Sequence, residues 1–164
     1  MSGRSFFGDL AMPHIPDGEL SITEASSLRD YLFLRALRNE VRSLLTNDTS
    51  RIGYLRQLKF YLARRRAPRD AQTTKIFIAR VGSQRAGYLL MRPAADGARI
   101  TEVVDAKFRH SGLGRRLVQY ACDRHPDLVA EIRADNTASI ALHESMGFAR
   151  ERSVSGVLIY RFHR

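Results

Sequence analysis

The chain holds one cysteine, no tryptophan and only three lysines, and no apolar run is long enough to span a bilayer. A lone thiol cannot close an internal disulfide, so a disulfide scaffold is excluded and a reducing compartment fits. Cys122 itself lies in an amphipathic run, where a small buried hydrophobe is its ordinary role. The opening segment MSGRSFFGDLAMPHIPDG contains no apolar block of the kind a secretory signal needs. A cytoplasmic protein without a membrane segment is expected. The scarcity of lysine is matched by 24 arginines, and 27 basic against 17 acidic residues leave a net charge of +10. A GC-rich genome would explain why arginine replaces lysine, but not why positive charge exceeds negative. The excess points to an anionic partner: nucleic acid, a membrane surface, or a phosphate-bearing cofactor or substrate. At 164 residues, 44% apolar and 27% charged, the chain has the size and balance of one globular domain.

Residues 1–18 carry Pro13, Pro16 and Gly18 without periodicity, and are expected to form an extended or partly disordered arm before a single domain over 19–164. A short strand ending near Thr23 is followed by a helical pattern from Ser26, read as one helix or two broken near Asn39. TNDTS reads as a turn that also caps the next helix. Ile52, Leu55, Leu58, Phe60 and Leu62 continue a helical apolar pattern up to Pro68. KIFIARV and RAGYLLMR then form a hairpin, and ARITEVVDA adds a third strand. A helix from Gly112 to about Asp123, the strand LVAEIRA, a helix from about Asn136 to Met146 and two closing strands complete the order β, helices, βββ, α, β, α, ββ. The class is α/β (α+β).

The stretch FRHSGLGRRL joins a strand to a helix. The first turn of that helix has N–H groups without intrahelical partners and the positive end of the helix dipole, which makes an anion site. Gly112 and Gly114 let an anion approach the backbone, and Arg109, His110 and Arg115 add donors. No G-x-x-x-x-G-K-[ST] is present, and Leu117 stands where a dinucleotide-binding fingerprint would have its third glycine. Taken alone, the turn is as compatible with a plain tight bend.

The sequence R-x-x-G-x-G followed by NTASIALHESMGF resembles the two motifs of the GNAT superfamily of N-acetyltransferases. Arg109, Gly112 and Gly114 match the first; Asn136, Ser139, Leu142, Gly147 and Phe148 match the second, with His143 where tyrosine is commonest. The resemblance implies the GNAT fold, a strongly bent, mixed and mostly antiparallel sheet with helices on both faces. It also implies an acetyl-CoA site. The pyrophosphate would lie on the turn of Arg109, His110, Ser111, Gly112, Leu113, Gly114 and Arg115, and the pantetheine arm along Val103 and Val104, where that strand splays from LVAEIRA. Asn136 would hold pantetheine or cap its helix. No metal is implied, and the five histidines have no ligand spacing.

Acetyl transfer to an amine needs a neutral nucleophile, donors for the oxyanion and a proton for the leaving thiolate. Glu131 and Glu102 are the candidate bases. Glu131 ranks first because AEIRADNTASIALHESMGF is similar to the corresponding segment of ribosomal-protein alanine N-acetyltransferases; both glutamates have the competing role of a salt bridge, with Arg99 or Arg133. His143 would protonate the sulfur, as the family's tyrosine does, with Tyr88 or Tyr160 as rival donors. The oxyanion would be met by the Val104 N–H.

LRNEVRSLL, with Ile52 and Phe60, resembles branches acting on nucleotide-linked amino sugars, and Arg38, Arg42, Arg51 and Arg64 to Arg66 would suit a phosphate-bearing acceptor, solvated surface being their competing role. Such an amino sugar, or another small anionic amine, is the first reading. A protein N-terminus of the ribosomal type is the second. The third is a binding module for acyl-CoA or RNA without turnover. A monomer or homodimer is expected.

Overall fold

The computed structural model describes residues 15–16, 18–46, 48–68 and 74–164. The expected arm therefore lies mostly outside the described residues, although Ile15 near its end is buried in the core. Among the described residues, seven strands and four α-helices follow in the order β1 (Leu20–Glu24), α1 (Leu28–Glu40), α2 (Tyr54–Arg66), β2 (Lys75–Val81), β3 (Gln84–Ala94), β4 (Gly97–Val104), α3 (Leu113–Cys122), β5 (Asp127–Arg133), α4 (Thr137–Ser145), β6 (Ala149–Val154) and β7 (Val157–His163). The predicted break near Asn39 corresponds to the end of α1 at Glu40, followed by a single 3-10 turn over Arg42–Leu44.

One sheet runs in the order β1-β2-β3-β4-β5-β7-β6. Every neighbouring pair is antiparallel except β4 and β5. The core divides between the two faces. On one face α3 packs Leu113, Leu117, Val118 and Ala121 against Leu89, Ile100 and Leu128. On the other, Tyr31, Leu34 and Leu37 of α1 meet Ile76, Ile78, Tyr88 and Val103. Each of these large side chains taken from water contributes roughly 1.5–3 kcal/mol, which fixes the helices on the sheet and so the loops that surround its central gap.

The start of α1 is a capping box: the Asp30 N–H donates to Ser27 Oγ and the Ser27 N–H returns to Asp30 Oδ2, at 3.2 and 3.1 Å. The same carboxylate is buried and also receives Arg80 and Arg85 from β2 and β3. In α2 the apolar pattern does not face the core. Leu55 is 76% exposed, whereas Gln57 and Tyr61 are buried. Gln57 is drawn inward because its Nε2 donates to the Tyr31 carbonyl at 2.8 Å, which ties α2 to α1 by a polar contact.

Candidate active site

The parallel pairing of β4 with β5 covers only Ala98, Arg99 and Ile100, opposite Leu128, Val129 and Ala130. Beyond that, Thr101–Val104 pair only with β3, and Glu131–Arg133 only with β7. The Asp105 N–H bonds back to the Ala86 carbonyl at 2.9 Å. By the alternation of an antiparallel ladder, the backbone polar groups of Glu102 and Val104 then turn toward the β5 side, where no strand meets them. This gap is the splay expected from the sequence, and an extended amide-bearing chain could complete it.

At the end of β4 the chain passes through the glycine turn. Gly112 caps α3 with φ of 82°, provides no side-chain cap, and would find nothing within 4 Å of an added Cβ. Left-handed backbone of that kind favours glycine. The first intrahelical bond runs from the Arg116 N–H to the Gly112 carbonyl, so the N–H groups of Leu113, Gly114 and Arg115 are without helical acceptors. Gly114 lies close under α4, where an added Cβ would be 3.2 Å from Leu142 Cδ2. Arg109 reaches only weakly toward the Val104 carbonyl, at 3.5 Å, and toward Glu40, at 3.8 Å. An open backbone cradle with a cation beside it fits a diphosphate.

A cavity of about 680 Å³ joins the turn to the gap. Arg109, His110, Gly112, Leu113 and Gly114 line it from the turn, Glu102, Val103 and Val104 from β4, Glu131 from β5, Asn136 and His143 from α4, and Arg38 from α1. Three predicted residues are not part of this lining. Ser111 is buried with its hydroxyl donating to the Phe108 carbonyl at 2.6 Å, Arg115 extends to Ser145 and Met146 on α4, and Arg42 lies in the 3-10 turn outside the cavity. Asn136 caps α4, its Oδ1 accepting the Ser139 N–H at 3.2 Å.

The three predicted catalytic side chains are in different circumstances. Glu131 accepts from Arg99 Nε at 2.9 Å and is the salt-bridged residue that its sequence context also allowed. Glu102 contacts no arginine among the described residues; its Oε2 lies 3.7 Å from His143 Nε2. His143 is buried, and its Nδ1 bonds the Ser139 carbonyl at 2.9 Å. Tyr160 donates to Glu144 at 2.7 Å and does not line the cavity.

Tyr88 lines it as well, and so does Arg92. Burial, and to a lesser degree Glu102, push the Tyr88 phenol well above the usual tyrosine range although Arg38 opposes them, so it remains an O–H donor at neutral pH. Tyr88, Arg38, Leu90 and Arg92 also line a second cavity of about 590 Å³, between α1, α2 and the sheet. Sequence periodicity could not show that β3 supplies the wall between two cavities, because it reveals a face and not a neighbour. Among the described residues no group of three or more His, Cys, Asp or Glu could hold a metal, and no helix is long and apolar enough to cross a membrane.

A mixed sheet parted beside a glycine-started helix, with a carboxylate in the opening, defines the class of acyl-CoA-dependent transferases. Residues 36–148 match the acetyltransferase (GNAT) family, and the chain belongs to it. It is therefore an acyltransferase. No curated protein is significantly similar to it in sequence. Among solved structures it is similar to spermidine N-acetyltransferase from Vibrio cholerae in complex with CoA and spermine, at 12% identity and a TM-score of 0.73 over 90% of this chain and 96% of that one. It is also similar to RimL, a ribosomal L7/L12 alpha-N-protein acetyltransferase in complex with coenzyme A, at 17% and 0.73 over 91% and 97%. A third likeness, at 23% and 0.67 over 88% and 99%, is to ribosomal-protein-alanine N-acetyltransferase from Brucella melitensis. At these identities the likeness is one of fold.

Proposed function

We propose that the protein transfers the acetyl group of acetyl-CoA to the primary amine of a small anionic acceptor, with a nucleotide-linked amino sugar as the first choice. The observation that carries this reading is the second cavity. Its rim holds Arg38, Arg56, Arg64 and Arg92 over an apolar floor that includes Leu34, Ile76 and Leu90. Arginines around an apolar floor suit a ligand with a planar or sugar body and phosphate groups. A polyamine or a basic peptide would meet like charge there.

In this reading the diphosphate of acetyl-CoA lies on the Gly112–Gly114 turn, with Arg109 beside it, and the pantetheine amides take the unpaired groups of Glu102 and the Val104 carbonyl. The thioester then points into the gap, toward the wall of Tyr88 and Arg38 that the two cavities share. Glu102 takes the proton of the attacking amine, because Glu131 is engaged by Arg99. In the same reading the Val104 N–H meets the oxyanion. Tyr88 presents a neutral O–H to the acceptor side.

The test is thiol release from acetyl-CoA with a panel of amines at fixed ionic strength. The expected order is nucleotide-linked amino sugar first, then peptide N-termini, with spermidine last. A preference for polyamines or basic peptides would sink the acceptor assignment. No thiol release with any amine, together with a melting temperature raised by RNA and not by acetyl-CoA, would sink the enzyme reading.

A further inference from the structure

We infer that His143 acts through Glu102 as a buried positioning residue, and that Glu102 alone carries the proton from the amine to the sulfur. The inference rests on the acetyl-transfer reading above. Its starting point is an unpartnered atom: His143 Nε2 is buried and has no hydrogen-bond partner among the described residues, although the ring lines the cavity wall. The family's tyrosine would carry its hydroxyl further from the helix than an imidazole carries Nε2. Here the polar atom stops beneath Glu102, whose side chain is 12% exposed against 1% for His143.

Nδ1 lies 2.9 Å from the Ser139 carbonyl, an acceptor only, and 3.4 Å from Ser139 Oγ; the shorter contact is a hydrogen bond when Nδ1 carries the hydrogen. In that tautomer Nε2 faces Glu102 Oε2 at 3.7 Å, with the nitrogen buried and the carboxylate 12% exposed to the cavity, so the imidazole forms the closed side of the carboxylate's surroundings. Phe148 packs edge-on against the ring, with centroids 4.9 Å apart, and holds its orientation. The other charged or titratable groups that line this cavity are Tyr88, Glu131, Asp48, His110, Arg38, Arg92 and Arg109. None of them is in ion-pair contact with His143 among the described residues; Glu131 is on Arg99.

The imidazole thus faces Glu102 from the closed side of the cavity. During transfer the amine nitrogen bonds the thioester carbon and the C–S bond breaks. The proton leaving nitrogen goes to Glu102 and from there to the departing sulfur. Nothing is oxidised or reduced, and Glu102 ends as it began.

Three variants test this. His143→Phe, close in shape to the ring, is expected to lower kcat about tenfold or more with KM for acetyl-CoA changed less than about twofold, and to move the acidic limb of the kcat/KM profile by about one pH unit. His143→Gln, which can still donate an amide hydrogen to Glu102, is expected to recover most of the loss. An unmoved profile with no rescue by Gln would overturn the inference, and so would loss of the basic limb alone, the mark of a direct acid. In the apoprotein, the imidazole 15N signals of His143 are expected to change on Glu102→Gln. Identical signals would also overturn it, whichever amine is acetylated. Absence of turnover in the unaltered protein with these signals changing would refute the transfer reading and leave the Glu102–His143 contact standing.

Discussion

Arg99 Nε donates to Glu131 Oε1 at 2.9 Å at the point where β4 and β5 part company. The pair bridges the two strands from the middle of their ladder on β4 to the first residue beyond it on β5, and both side chains are partly exposed, 36% and 23%. An ion pair of that exposure contributes at most about 1 kcal/mol, so its main effect is to keep Glu131 engaged. Glu131→Gln is expected to lower kcat/KM less than tenfold, and Glu102→Gln by about a hundredfold or more. Steady-state kinetics with acetyl-CoA and a common amine decides; the reverse order would return the base role to Glu131.

Gly112→Ala places a Cβ on left-handed backbone in open space. The strain costs roughly 1–2 kcal/mol, and relief would rotate the N–H groups of the first helical turn away from the cradle. Expected are a lower melting temperature and acetyl-CoA affinity reduced at least tenfold by calorimetry. Unchanged affinity in the folded variant would remove the diphosphate from this turn.

Asp30 titrates far from the ordinary carboxylate range. Burial alone would raise it, but the Ser27 N–H, Arg85 and the Ser26 N–H prevail and bring it down from 3.8 to about 2. A depressed value means that this stabilisation is complete above about pH 4 and is lost as the pH falls through about 2, a contribution of about 2 kcal/mol. Asp30→Asn is expected to cost at least that much in urea unfolding at pH 7, with the difference from the unaltered protein narrowing between pH 4 and pH 2. A difference independent of pH would assign the loss to the capping geometry alone.

Arg92 is exposed on β3 and lines both cavities. Arg92→Ala is expected to raise KM for an anionic acceptor about fivefold to tenfold while leaving KM for acetyl-CoA within about twofold, and added salt is expected to weaken acceptor binding in the unaltered protein. An equal rise in both constants would move the anion to the cofactor side.

Much of this architecture can be read from the sequence because it depends on short-range physics. The apolar face of α3, the hairpin at Gly82 and the glycine start of α3 all follow from neighbours within a few residues. The capture of Glu131 by Arg99 is different: both partners are visible as residues, but their contact depends on a parallel register 32 residues apart in sequence. The same holds for Asp30, whose partners Arg80 and Arg85 arrive from distant strands. Along α2 the periodicity misleads, since Leu55, Leu58 and Leu62 mark the outward side and a glutamine marks the inward one. A pattern of hydrophobic residues identifies a stripe, and only tertiary packing decides whether the stripe is used.

The three-residue ladder between β4 and β5 has a mechanical consequence. It leaves the sheet as two leaves, β1 to β4 and β5 to β7, sewn by one short seam. A molecule lying across the opening would act as a second seam, so amide hydrogens on both margins should exchange more slowly together once it is in place.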